Sequence, residues 1–499
     1  MSIINRILNW LKNPGGKLSR QVIQGGFWVF TIRILRRLFG ILKLIVIARL
    51  LSPEDFGLFG IAMLALAALQ SFSKTGFNQA IIQKKEGARS YLDTAWTVGI
   101  IRNLALAGLL VLLAPFIGSF FGEPGAVFLA RMLAVAVAIK GFTNVGVIYF
   151  RKELQFHKQF LYESASIVVN IAVAIPLAFI LRSALALVFA IIVSNAVQMF
   201  LSYVLHPFRP ELEVDLKKAK ELYDFGKWIF GSSIVVFIAL HGDDIFAGKY
   251  LGAAALGIYQ LSFKISNSMA TEITHVIGQV TFPAFSKLQN NVDRLREAFF
   301  NTVEASVGIS VPLAAGIFLL APDFVHVVLE PKWEQMIPIL RILTVSGLLR
   351  SMVATGGPLV NAVGKPRLDF RINLLRSVLI AVSIYPLTRI YGLSGTAYSV
   401  LLGLTGSFLL WIKFTSRTTN TAYGHLLKKL APPLLGSLIM VAVIVGVKQF
   451  LPQPGLPLFF AIILLGVITY TIYSIIVWKM YDVGPLKSLQ VMISYARNE

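Results

Sequence analysis

Four basic residues share one face of an apolar segment near the start of the chain. The segment runs from Gly25 to Ala48 and is long enough to cross a membrane as a helix. At 100° per residue its basic residues fall within about a third of the helix circumference. A cationic stripe of this kind can bind an anionic ligand. The four residues are Arg33, Arg36, Arg37 and Lys43.

The stripe is not expected to face lipid, because each charge near the centre of a bilayer costs about 2.5–3.5 kcal/mol. We predict that it lines a water-filled cavity. Two alternatives are that the basic side chains snorkel to the membrane surface, or that the helix lies flat in the interface. Snorkelling suits Arg33 or Lys43 taken alone. It suits Arg36 and Arg37 poorly, because they lie near the middle of the segment.

The composition is that of a polytopic membrane protein. The 499 residues are 56% hydrophobic and 14% charged, whereas soluble proteins are nearer a quarter charged. The net charge of +22 would suggest nucleic acid in a soluble protein, but here we expect no such partner, because the basic residues belong to membrane loops and spans. Residues 1–20 lack the apolar core of a cleavable signal, and they favour a short amphipathic interfacial helix.

Apolar segments of about twenty or more residues recur along the chain and predict an all-α protein with about 14 transmembrane helices. In alternate loops and at both ends we count 27 Lys and Arg residues, against 6 in the opposite loops. The positive-inside rule therefore predicts cytoplasmic N and C termini. The predicted spans are 25–48, 56–83, 91–120, 126–149, 160–181, 184–205, 225–241, 253–284, 298–321, 335–362, 370–388, 392–412, 430–449 and 457–478.

An internal repeat with an offset of 200 residues predicts two parallel six-helix bundles. Gly26-Phe27-Trp28 recurs as Gly226-Lys227-Trp228, and the segment 48–59 aligns with 248–259. Transporters with such repeats rock two bundles about a central site. The last two spans lie outside the repeat, carry Lys448 as their single charge, and are expected to face lipid. The predicted organisation is a cytoplasmic N-terminus (1–20), an N-terminal bundle (21–206), a cytoplasmic linker (207–220), a C-terminal bundle (221–414), a second linker (415–429), two additional helices (430–480) and a cytoplasmic tail (481–499).

Further charged residues lie inside the other predicted spans, and the basic ones outnumber the acidic ones. A single acid and base could simply pair, but the acids cannot neutralise all the bases, so the net cationic interior favours an anionic cargo. Lys140, Lys264 and Arg350 fall nearest to mid-span, and Lys74, Arg102 and Arg376 are further candidates for a cavity. The clearest acids are Glu163, Glu272 and Glu304.

Motifs for nucleotide, cofactor or metal binding are not found in the sequence. It has no P-loop, no dinucleotide-binding fingerprint and no HExxH segment, so we expect no ATP site, no metal and no cofactor. The cluster His241-Gly242-Asp243-Asp244 could coordinate an ion, but it is more typical of a solvated loop. The chain contains no cysteine, which excludes disulfides and thiolate sites.

Three segments resemble the Wzx-type polysaccharide and oligosaccharide-lipid flippases of the multidrug/oligosaccharidyl-lipid/polysaccharide superfamily. The most recognisable is the turn ARLLSPEDFG within Ala48 to Lys85, and the others are FRKELQF (Phe150 to Phe156) and NAVGKPRLDFR (Asn361 to Arg371). The resemblance covers about residues 20–480. The chain also matches the family in length, in the number of spans and in the internal repeat. The density of charge on the first span departs from the usual family pattern and suggests a strongly anionic head group or sugar.

The resemblance implies a cargo and a mechanism. The cargo would be a glycan linked to undecaprenyl or another polyprenyl pyrophosphate, carried to the outer leaflet for O-antigen, lipopolysaccharide, capsule or exopolysaccharide synthesis. Related lipid II flippases line a central cavity with arginines, and the first-span arginines occupy a comparable place here. We therefore predict that the stripe binds the pyrophosphate and that Lys140, Lys264 and Arg350 complete the cage around it. We also predict that transport is driven either by a coupled proton or cation or by the membrane potential. The candidate coupling residues are Glu163, Glu272 and Glu304.

Three rival functions differ from the flippase in what they would require of this sequence. A lipid II flippase is close in mechanism, a drug or cation antiporter of the same fold would need an acid-rich cavity, and a membrane glycan polymerase or ligase would need a sizeable outer loop. The resemblance implies a multi-pass protein of the inner (cytoplasmic) cell membrane that acts as a monomer among membrane lipids. Its expected partners are the lipid-linked oligosaccharide and the polymerase and chain-length components of the export pathway.

Overall fold

The fold is built from long α-helices. The computed structural model describes residues 17–73, 91–213, 215–421, 423–451 and 455–497, and this described part contains no β-strand. The predicted interfacial helix at 1–20 lies largely outside these residues. The helices are α1 (Lys17–Leu50), α2 (Pro53–Ser71), α3 (Leu92–Phe121), α4 (Gly125–Gly141), α5 (Phe156–Leu181), α6 (Leu185–Leu205), α7 (Leu216–Leu288), α8 (Val292–Asp323), α9 (Met336–Ala362), α10 (Pro366–Tyr391), α11 (Leu393–Thr419), α12 (Tyr423–Phe450), α13 (Leu456–Tyr481) and α14 (Pro485–Arg497).

Ten helices in the described residues are long and apolar enough to cross a membrane. An eleventh span is formed if α4 is counted with the helical turns Val145–Lys152, from which it is bent by 77°. The basic helix α1 and the long helix α7 are not among the ten. The prediction of an all-α, multi-pass membrane protein is confirmed, and the count of fourteen spans stays a prediction.

The chain divides into two compact units, Met1–Gly257 and Ile258–Glu499. The division falls within α7, so the predicted linker 207–220 lies inside the first unit. In the first unit α1 packs along α5, α5 packs on α6, and α6 packs on α4. Small and aliphatic side chains, such as Leu110 and Leu133, fill the space between α2, α3, α4 and α6.

The turn between α1 and α2 is stabilised by side-chain caps. The hydroxyl of Ser52 accepts a hydrogen bond from the Asp55 amide at 3.1 Å, and the Asp55 carboxylate accepts one from the Ser52 amide at 3.2 Å. This capping box satisfies amides at the start of α2 that have no helical partner. The other oxygen of Asp55 accepts from the Ala184 amide at 3.0 Å, at the start of α6. The SPED segment of the family turn therefore connects the end of α1 with the starts of α2 and α6.

The two copies of the repeated turn contact each other within the first unit. A methyl group on Gly57 would overlap the carbonyl group of Ala253, and one on Gly257 would overlap the carbonyl group of Pro53. These positions correspond at the offset of 200, so the two contacts are reciprocal, as expected for copies related by a local two-fold axis. Glu123 accepts a hydrogen bond from the Ala253 amide at 2.7 Å, which caps the second part of α7.

The second unit is organised around α8, which contacts α9, α12 and α14. Aromatic side chains, including Phe299 and Trp411, form much of its core. Two ion pairs join α8 to α12, one between Glu304 and Lys429 at 2.8 Å and one between Asp323 and Lys448. The last two spans were expected to face lipid with Lys448 as their single charge, but α12 also contains Lys429, and both lysines pair with acids of α8.

Candidate functional site

The basic stripe of α1 is directed in part at α5. Arg36 and Lys43 contact polar side chains of α5, whereas Arg33 is exposed and Arg37 is half-buried. The ring of Trp28, about two turns before Arg36 on α1, lies 4.8 Å between centroids from the ring of Phe160 on α5, at a tilt of 49°. One face of α1 is therefore packed against α5 along several turns.

Glu163 of α5 receives hydrogen bonds from three side chains. Its Oε2 accepts from Nη2 of Arg36 at 2.6 Å. Its Oε1 accepts from Nη2 of Arg151 at 3.1 Å and from Nε2 of Gln159 at 2.7 Å. Arg151 belongs to the short helical turn Tyr149–Lys152 that precedes α5. Three chain segments thus bring two guanidinium groups and an amide to one carboxylate, and we call these four residues the Glu163 cluster.

A second polar contact lies about two helical turns further along. Nζ of Lys43 donates to Oδ1 of Asn170 at 2.6 Å, and Nδ2 of Asn170 donates to the hydroxyl of Ser194 at 3.3 Å, on α6. The contacts of Arg36 and Lys43 both join residues 127 positions apart, so α1 and α5 run parallel. The stripe therefore forms a ladder of polar contacts that rises about 10 Å between the two rungs.

The ladder begins near the start of α5. Arg36 is level with Glu163, about two turns from the first residue of that helix, and the prediction that Arg36 lies at the middle of its own span stays a prediction. The register of α1 against α5 sets this position, and the apolar length of α1 alone does not reveal it. Arg36 also lies beside Arg151, which the sequence assigns to a basic loop.

Two further predicted bases lie in the first unit. Arg102 of α3 is held by Ser73, whose carbonyl oxygen accepts from Nε at 2.7 Å and whose hydroxyl accepts from Nη2 at 2.8 Å. Lys140, at the end of α4, is close enough to Arg102 for their positive charges to interact. The prediction for Lys74 lies outside the described residues.

The other predicted bases belong to the second unit. Lys264 is exposed, and Arg376 is half-buried. The guanidinium carbon of Arg350 lies 4.9 Å from the ring centroid of Phe263, within the range of a cation–π interaction. The predicted cage is thus divided between the two units: four residues of α1 and Lys140 lie in the first, and Lys264 and Arg350 in the second. That they surround one ligand stays a prediction.

The predicted coupling acids differ in their surroundings. Glu163 is the acceptor of the Glu163 cluster. Glu304 is 2% exposed and accepts from Lys429 at 2.8 Å and from the hydroxyl of Ser488 on α14 at 2.8 Å. These contacts attach α12 and α14 to α8, and a coupling role for Glu304 stays a prediction. The side chain of Glu272 lies outside the described part of the chain.

Metal binding is not indicated where the structure is described. No three His, Cys, Asp or Glu side chains come together there in a way that could hold a metal ion. His241 and Asp244 lie within α7, with 3.3 Å between Nδ1 and Oδ2, so this pair is part of a helix and not of a loop. Two ligands alone do not form a metal site of the usual kind.

The sequence did not identify Arg151, Gln159 and Asn170 as parts of the site. Arg151 had one available signal, since it lies in the family-like segment FRKELQF next to an acid-bearing span. Gln159 and Asn170 are ordinary polar residues of a helix. They become part of the site only because α1 packs against α5 in a register that brings Arg36 and Lys43 beside them. Arginine pairs of this geometry suit phosphate oxygens, because a guanidinium group offers a planar fork of donors.

A family profile and two related proteins each match more than half of this chain. A profile described as polysaccharide biosynthesis protein matches residues 46–338, which is more than half of the chain. The lipopolysaccharide biosynthesis protein WzxC of Escherichia coli (strain K12) is 25% identical over 387 residues, covering 77% of this chain and 79% of WzxC. The teichuronic acid biosynthesis protein TuaB of Bacillus subtilis (strain 168) is 25% identical over 355 residues, covering 71% of this chain and 74% of TuaB.

Among solved structures, the fold is similar to that of the lipid II flippase MurJ in an inward closed conformation. The TM-score is 0.70, and the match covers 92% of this chain and 99% of MurJ. The two sequences are 17% identical over this match, so the likeness is one of fold.

Proposed function

The chain belongs to the polysaccharide biosynthesis protein family, and we propose that it is a flippase for a polyprenyl-pyrophosphate-linked oligosaccharide. It carries this lipid from the cytoplasmic to the outer leaflet for the synthesis of O-antigen, capsule or exopolysaccharide. The names of its relatives in lipopolysaccharide and teichuronic acid biosynthesis support this assignment. It acts as a transporter, with no catalytic residue and no nucleotide cofactor.

One observation supports the binding chemistry above all others. Arg36 and Arg151, from two different segments, converge on a single carboxylate beside the basic stripe of α1. A pyrophosphate offers oxygens that guanidinium groups bind bidentately, and its desolvation must be compensated by such donors. In the proposed cycle Arg33, Arg36, Arg37 and Lys43 bind the pyrophosphate, the glycan occupies the wet cavity, and the prenyl tail stays in lipid.

The proposed topology places the protein in the inner membrane as a monomer. It has fourteen spans with both termini in the cytoplasm, and residues 20–206 rock against residues 220–414. Lys140, Lys264 and Arg350 complete the pyrophosphate cage during this movement. Transport is driven by a proton or cation, or by the membrane potential, and it delivers the lipid to polymerase and chain-length components of the pathway.

Proteoliposomes loaded with a defined lipid-linked oligosaccharide test the function. We expect Arg36→Gln together with Arg37→Gln to abolish flipping while the protein remains in the membrane at its normal level. Arg389→Gln is a matched control, because Arg389 is exposed at the end of α10, outside the site. Normal flipping by the double variant would refute the assignment. Lipid II offered in the same assay separates the proposed function from the related peptidoglycan-precursor activity.

A further inference from the structure

The Glu163 cluster holds an anion that belongs to the protein itself. We propose that Glu163 is a specificity residue: its carboxylate occupies the Arg36–Arg151 pair so that only a ligand with two or more negative charges can displace it. This inference rests on the proposed function, because it concerns the head group of the same lipid. It adds a selection step against the singly charged phospholipids that surround the protein.

The geometry shows that the carboxylate occupies a site built for an oxyanion. Both oxygens of Glu163 are used, Oε2 by Arg36 and Oε1 by Arg151 and Gln159. The three donors come from α1, from the turn before α5 and from α5, so they converge from different directions. A phosphate group entering between the arginines would meet the donors that the carboxylate now uses.

The exposed fractions of the side chains determine which members of the Glu163 cluster a ligand can reach. The side chains of Arg36 and Arg151 are 61% and 62% exposed, whereas that of Glu163 is 15% exposed. A ligand therefore meets the arginines first, with the carboxylate behind them. Ion pairs with such exposed partners are weak, so a ligand of higher charge can displace the carboxylate without disrupting the helix packing.

Charge explains the selectivity. With Glu163 in place, the two arginines and the carboxylate together carry one positive charge. A phospholipid head group with one net negative charge offers the arginines no more than the carboxylate already does. A pyrophosphate that is esterified at both ends carries two negative charges, so it gains from both guanidinium groups at once. Specificity of this kind depends on a competitor built into the site.

The neighbouring basic residues add to this preference. Lys43, Arg33 and Arg37 extend the positive stripe along α1, and the described part of α5 offers the amide of Asn170 at the next rung. A pyrophosphate released from the first rung would next meet Lys43, whose Nζ donates to the neutral amide of Asn170. The carboxylate of Glu163 lies one rung earlier, at the level of Arg36.

Binding of farnesyl diphosphate to the full chain in nanodiscs tests the inference. In phosphatidylcholine nanodiscs we expect Glu163→Gln to bind this probe roughly three- to fivefold more tightly, the factor that corresponds to losing a weak competing ion pair. Addition of phosphatidylglycerol should then reduce binding by Glu163→Gln much more than binding by the unaltered protein. Glu153→Gln is the matched control, since the described structure shows Glu153 bonded to Gln155 and not to a basic side chain.

The same measurements test the alternative that Glu163 only orients the two arginines. If Glu163 only orients the arginines, Glu163→Gln will bind the probe as weakly as or more weakly than the unaltered protein, and the inference is wrong. Glu163→Asp keeps the charge, so it should retain resistance to phosphatidylglycerol. Loss of that resistance would also count against the proposal. Loss of flipping in Arg36→Gln with no gain of binding in Glu163→Gln would leave the flippase function standing and remove the specificity role alone.

Discussion

Gly57 of α2 lies directly against the backbone carbonyl group of Ala253. The reciprocal contact joins Gly257 to Pro53, so each copy of the repeated turn accepts the backbone of the other. Side chains larger than hydrogen do not fit at either glycine. The close approach explains why glycine stands at position 57 of the family turn and again 200 residues later.

Gly57→Ala should destabilise the protein by about 1–3 kcal/mol, because the added methyl group forces the two turns apart. Thermal unfolding of the purified protein in detergent measures the effect. Gly108→Ala is the control: apart from the adjoining backbone of its own helix, the described structure shows no atom within 4 Å of the added methyl group there, and alanine favours a helix more than glycine does. Equal unfolding temperatures for the two variants would contradict the close contact.

Gly252→Ala should cost about 1–3 kcal/mol for a different reason. Gly252 has φ 83° and ψ 179°, a conformation that is adopted essentially by glycine only. It breaks the helical backbone of α7 just before Ala253, whose amide is capped by Glu123. Gly242→Ala, in a helical stretch of α7, serves as the comparison and should be neutral or stabilising. An unchanged unfolding temperature for Gly252→Ala would show that the break is not maintained.

Exchanging the charges of Arg36 and Glu163 separates stability from transport. Arg36→Glu alone places two carboxylates side by side and should lower both the unfolding temperature and flipping. Adding Glu163→Arg restores an ion pair worth up to about 1 kcal/mol, so stability should partly recover. Flipping should stay lost, since a carboxylate then faces the pyrophosphate from α1. Recovery of flipping in the double variant would mean that the pair serves the fold alone.

Lys429→Met should destabilise the second unit by about 3 kcal/mol. The change leaves the carboxylate of Glu304, which is 2% exposed, without its cationic partner. Replacing Glu304 with Leu in the same protein should recover most of the loss, because no buried charge then remains. Lys428→Met changes an exposed neighbour and should have little effect. The four unfolding curves are compared in one detergent, and an equal loss for Lys428→Met would argue against the buried pair.

The helical architecture was predictable because apolar length and loop charge report directly on membrane spans. The stripe on α1 was also predictable, since four spacings on one helix define a face without knowledge of any neighbour. Its partner was not, because Glu163 meets Arg36 only through the packing of α5 along α1. Lys429 was assigned to a loop on composition, yet it lies inside α12 and pairs with a buried acid. Packing between helices decides which residues of two distant helices lie side by side, and this register cannot be predicted from one sequence.

The two ion pairs between α8 and α12 have a mechanical consequence. Glu304 pairs with Lys429 and Asp323 with Lys448, and both pairs join residues 125 positions apart. The pairs are separated by about 28 Å along the helices, close to the thickness of the hydrocarbon core. A slip of α12 by one turn would break both pairs at once and leave four charges unmatched. The two pairs therefore oppose sliding of α12 along α8, and we expect the two helices to move together.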